Sequence, residues 1–68
     1  MTLCNIQEAA YLLGLEAATV LELALDGTLT AVRDRRAIAF DRDEVQRLAE
    51  RVRAALATYR EEEMKLEL

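Results

Sequence analysis

Seven arginines fall between residues 33 and 53 of this 68-residue chain, and the first 32 residues hold no lysine or arginine at all. Arg33, Arg35 and Arg36 lie within a single tetrapeptide. Guanidinium groups at that spacing could contact phosphate oxygens, displacing counterions as they do so. The competing reading is a solvated turn in which Asp34 cancels one charge. Arg42 follows shortly after and could extend the same chemistry. Arg47, Arg51 and Arg53 have acidic neighbours and read as a solvated helix face. Between Glu16 and Leu25 the only uncharged polar side chain is Thr19.

Other chemistry is sparse. The chain contains no histidine and one cysteine, Cys4, so it can form no internal disulfide, and a dedicated zinc site is not expected. Cys4 reads as a small buried apolar residue, compatible with a reducing compartment. There is no glycine-rich phosphate loop, no nucleophile beside a base, and no gathering of carboxylates. Neither an enzyme nor a cofactor is expected. No apolar run approaches the ~18 residues that a membrane span needs, and a cytoplasmic location is expected.

The composition bounds the elements that hold these residues. It is 53% hydrophobic and 4% aromatic with a net charge of −4, which suits a single small helical domain with a marginal core. The charge is unevenly spread. Residues 1–32 carry Glu8, Glu16, Glu22 and Asp26 unopposed, whereas residues 33–53 are net basic and the last fifteen residues net acidic.

Asn5 followed by Glu8 has the spacing of a capping box, so a first helix should start after Asn5. Ile6, Ala9, Ala10 and Leu13 then recur at helical spacing, and Gly14 is suited to a left-handed C-cap. A second helix over residues 16–25 places Val20, Leu23 and Ala24 on one stripe, ended by Asp26-Gly27. Two short helices joined by a tight glycine turn have the form of a helix-turn-helix. Thr28 to Phe40 reads as a hairpin with Ile38 and Phe40 on one side, turning through Arg33–Arg36 without the usual Gly or Asn. A third helix should open at Asp41, with Glu44 as its capping-box acid, and run to about Met64, fraying near Glu61-Glu62-Glu63 at the negative end of the dipole. Along it, Val45, Leu48, Val52, Ala55 and Tyr59 form a heptad-like seam.

Ile6-Gln7-Glu8-Ala9-Ala10, Leu12-Leu13-Gly14-Leu15, Thr19-Val20, Leu23-Ala24 and Gly27-x-Leu29-x-Ala31-Val32 resemble the DNA-binding domains of the excisionase and MerR type. The resemblance spans about residues 3 to 50. It implies a mainly α fold, a small winged helix-turn-helix: two short helices, a β-hairpin wing and a long C-terminal helix. Residues 1–50 would form the headpiece, and 51–68 a helical extension for dimerisation or partner binding. The resemblance also implies that the second helix enters the major groove of double-stranded DNA while the wing holds the flanking backbone. On these positions the contacts would come from Thr19, Arg33, Arg35, Arg36 and Arg42.

The second helix departs from that pattern. Glu16, Ala17, Glu22 and Leu25 stand where the family commonly has a serine or threonine cap and basic or polar residues. On the return strand of the hairpin, Ala37 and Ala39 replace residues that are often basic. Two functions therefore follow. One is a small DNA-binding regulator or architectural factor, paired as a homodimer through Val52, Leu56 and Tyr59. The other is a protein-interaction adaptor that keeps the fold and docks a partner on Leu21, Glu22 and Leu25. In the plainer alternatives, Leu21 and Leu25 pack beneath the wing or the long helix, and the Val52–Tyr59 stripe folds back onto the headpiece.

Overall fold

A computed structural model describes residues 2–66, with side chains described through residue 62. The element order is β1 (Leu3–Asn5), α1 (Ile6–Leu13), α2 (Ala17–Leu25), β2 (Ala31–Asp34), β3 (Ala37–Asp41) and α3 (Arg42–Leu66). The domain is mainly α, with two short helices, a β-hairpin wing and a long C-terminal helix.

Local signals set most of these boundaries. The Asn5 side chain accepts a hydrogen bond from the Glu8 amide at 2.8 Å and so caps α1. Gly14 adopts φ 68° and closes α1 through its N–H to the Ala10 and Tyr11 carbonyls. Glu16 precedes α2 without making a side-chain cap. Asp26 Oδ1 accepts from the Thr28 amide at 2.9 Å, and Gly27 turns the chain at φ 85°. That turn delivers Leu29 into the core, where its N–H donates to the Leu23 carbonyl.

The sheet has three antiparallel strands in the order β1-β3-β2. The pattern along the chain predicts only the hairpin; β1 is an addition. Leu3-Cys4-Asn5 pairs with Asp41-Phe40-Ala39, and the Arg42 amide donates to the Thr2 carbonyl. Three residues are too few for period-two alternation to stand out. The strand matters because it places Cys4 opposite Phe40 in the core.

Ile38 and Phe40 do lie on one face of β3, but only Phe40 is core. It is fully buried, whereas Ile38 is 47% exposed. The reason is length. Asn5, the last residue of β1, pairs with Ala39, so Ile38 projects past the third strand towards the turn. The core therefore gathers around Phe40, Leu29, Val20 and Val45, with Cys4, Ala9, Ala10, Leu13 and Ala49 filling in and Leu12, Leu23 and Leu48 packed against it.

The start of α3 also departs from expectation. Asp41 Oδ1 accepts from the Asp43 amide, but Glu44 does not act as a capping-box acid. Its Oε1 accepts from the Thr30 amide at 2.6 Å, pinning the loop before the wing to the first turn of α3. A charged acceptor gains more from an otherwise unpaired loop N–H than from a helix start already served by Asp41. The helix also continues through Glu61–Glu63 to Leu66, beyond the expected fraying point. Glu, Met, Lys and Leu are all strong helix formers, which offsets the unfavourable dipole. The overall extents of 54 × 21 × 18 Å show how far α3 projects from the headpiece.

Candidate nucleic-acid interface

The wing tip is built from the hairpin register. Asp34 pairs with Ala37, leaving Arg35 and Arg36 as a two-residue turn. Arg35 has φ 49° and Arg36 φ 70°, both left-handed. Positive φ at both central positions is the geometry of a type I′ turn, whose right-handed twist matches the flanking strands. Asn-Gly normally fills it. Arginine here carries the Cβ clash of the left-handed region, about 1 kcal/mol or more per residue.

Arg33 pairs directly with Ile38 across the strands, so the two side chains share one face of the ribbon. Arg33, Arg35 and Arg36 are all exposed. The tip thus presents three guanidinium groups and an isoleucine, with Asp34 as its single acid. Alternation places Ile38 on the same side as Phe40 but does not show that Ile38 meets solvent. The signal that could have found it is its distance of only two residues from the turn.

Arg42 is exposed at the start of α3, at the opposite end of β3 from the turn. It lines a shallow depression of about 350 Å³ with Asn5, Gln7, Glu8, Tyr11 and Leu12. Arg42 therefore does not join the wing-tip cluster.

On α2 the inward stripe is as expected: Val20 is fully buried, and Leu23 and Ala24 pack against the core. The outer face consists of Ala18, Leu21, Glu22 and Leu25, all exposed and spaced i, i+3, i+4, i+7. Leu25 is 82% exposed, which excludes its packing beneath the wing or α3. Thr19 is half-buried and lies to one side of that face. The helix that would read bases thus offers an apolar and acidic surface.

Along α3, Val45 and Ala49 are buried and Leu48 and Val52 partly so, but Leu56 is 50% and Tyr59 57% exposed. Headpiece cover ends near Val52, so the distal part of the stripe does not fold back. Residues 67 and 68 of the expected extension lie outside the described residues.

Cys4, in the middle of β1, is buried. Burial, with Glu8 nearby, raises its pKa and keeps it a thiol. Among the described residues no group of three or more His, Cys, Asp or Glu could hold a metal ion, and no helix is long and apolar enough to cross a membrane.

No family model matches the chain, and no curated protein or solved structure is significantly similar to it.

Proposed function

We propose that this chain is a small, non-enzymatic DNA-binding module that grips the phosphate backbone with its wing. The observation that carries this reading is the placement of Arg35 and Arg36 in left-handed turn positions that Asn-Gly would fill without strain. Strain retained at an exposed site points to a use for the side chains. Arg33, on the adjacent strand, completes a compact cationic tip. The contact is mainly electrostatic and sequence-independent, since α2 brings no cation and Thr19 is only half-exposed.

One such module binds weakly, and a second copy is proposed to pair along α3 through Val52, Leu56 and Tyr59. Residues 1–50 then act as the headpiece and the rest of α3 as the pairing segment. A lone buried thiol and the absence of any disulfide suit a reducing, cytoplasmic setting. Light scattering at tens of micromolar tests the pairing: a dimer that Val52→Ala with Leu56→Ala dissociates supports it, and a monomeric wild type removes it.

The DNA reading is tested by titrating a random-sequence duplex at low and near-physiological salt with wild type and with Arg33, Arg35 and Arg36 all changed to Ala. Binding that falls with salt in wild type and vanishes in the variant supports it. Binding that survives the triple change removes the wing from the interface.

A second reading, a protein-interaction adaptor, is favoured by one specific observation. Leu25 stands 82% exposed on the helix that should face bases, and a large exposed apolar side chain beside a carboxylate suits protein better than phosphate.

A further inference from the structure

The outer face of α2 is left unused by the wing, and its chemistry is specific. Leu21 and Leu25 lie one turn apart with Glu22 beside them. Asp26 follows at the C-cap, and its carboxylate is fixed by the Thr28 amide. The last turn of α2 contains no basic residue, so the negative end of its dipole lies next to Glu22 and Asp26. No lysine or arginine occurs anywhere in residues 1–32. The result is an apolar pair at the most negative end of a helix.

Three occupants can be weighed by charge. Duplex DNA is repelled, because every ionised group on this face has the sign of phosphate. A second copy using the same face would set Glu22 and Asp26 against their own equivalents. A helix with leucine-like residues at i and i+3 or i+4, flanked by Lys or Arg, satisfies both the apolar and the electrostatic demand. Its cations would meet the carboxylates of Glu22 and Asp26 at the negative end of α2.

We propose that the outer face of α2, formed by Leu21, Leu25, Glu22 and Asp26, docks a basic amphipathic helix of a protein partner. This rests on the adaptor reading, to which it adds the chemistry of the partner, and it needs neither a duplex nor the wing arginines.

The test uses the full chain, isotopically labelled, and a synthetic fourteen-residue leucine–lysine amphipathic peptide, followed by amide chemical shifts. Shifts are expected at Ala17–Thr28, and changing Leu21 and Leu25 together to Lys should weaken binding by roughly tenfold or more. Both side chains are exposed, so the variant should keep its fold, which its own amide spectrum verifies. A glycine–lysine peptide of equal charge should bind far more weakly. Absence of binding overturns the proposal. So do shifts centred elsewhere, equal binding of the glycine–lysine peptide, or an unaffected double-Lys variant. A duplex that moves the same α2 amides in wild type also overturns it, by placing the helix in a groove. The wing reading stands or falls separately, on the triple-alanine titration.

Discussion

Replacing Arg35-Arg36 by Asn-Gly separates the structural role of the wing turn from its functional one. Both arginines hold positive φ, at 49° and 70°. Each left-handed non-glycine residue costs about 1–2 kcal/mol, and Asn and Gly relieve most of that. Glycine also gives the unfolded chain more freedom, which returns roughly 0.5–1 kcal/mol. The net expectation is a stabilisation of about 1 kcal/mol, or a rise in Tm of about 4–8 °C for a domain of this size. Duplex binding should move the other way. Two of the three tip cations are removed, so the slope of log K against log salt should shrink by about 1.8 if both touch phosphate. Urea and thermal unfolding give the first quantity, and duplex titration across a salt series gives the second. A variant less stable than wild type would refute the turn geometry. A more stable variant with an unchanged salt slope would show that the arginines face solvent even when DNA is bound.

The sheet register makes Phe40→Ala and Ile38→Ala a contrasting pair. The first should cost about 3–5 kcal/mol and leave little folded protein, and the second under ~1 kcal/mol; equal losses in urea unfolding would mean that Ile38 is core after all. Glu44→Ala removes the acceptor for the Thr30 amide, so hydrogen exchange at Thr30 should accelerate while that at Val45 changes little, and an unchanged Thr30 rate contradicts the link. Asp26 is held below the ordinary carboxylate range by hydrogen bonds from the Thr28 side chain and backbone. Because folding favours its ionised form, its contribution to stability is present above the unfolded-state pKa and is lost as pH falls through the lower, folded-state value. In Thr28→Ala the Asp26 carboxyl titration, followed by NMR, should move up towards the usual range, and an unmoved midpoint would show that the Thr28 hydroxyl has no part in the shift.

What the chain discloses about itself follows the range of the forces involved. Asn5, Gly14 and Gly27 act within a turn or two of backbone, and their consequences could be read directly. The inward stripe of α2 was equally legible, because helical periodicity needs only a few residues to declare itself. Where a residue's partner lies far along the chain, the sequence was silent. Glu44 looks like a capping acid until Thr30, fourteen residues earlier, is seen to need an acceptor. The strand at Leu3–Asn5 exists only because β3 offers an unpaired edge. Ile38 and Leu25 are both bulky apolar residues, and only the ends of β1 and the absence of a neighbour over α2 decide that they meet solvent. For the site, the arginine cluster was visible in composition, but not its left-handed turn, since Arg-Arg carries none of the usual signals for that geometry.

The separation of charge within so small a body bears on how the wing can work. The two shorter dimensions of the molecule are 21 and 18 Å, while the Debye length is about 8 Å at physiological salt and about 30 Å at 0.01 M. Near physiological salt an approaching phosphate therefore senses the wing tip alone, as three arginines and one aspartate. In dilute salt it also senses the rest of the headpiece, whose first 32 residues carry four acids and no lysine or arginine. Lowering the salt strengthens each guanidinium contact but also brings the acidic first two helices into range. The usual gain in affinity towards low salt should thus flatten before it would for a uniformly basic protein with the same contacts. For a module of this kind, the position of its few cations matters more than their number.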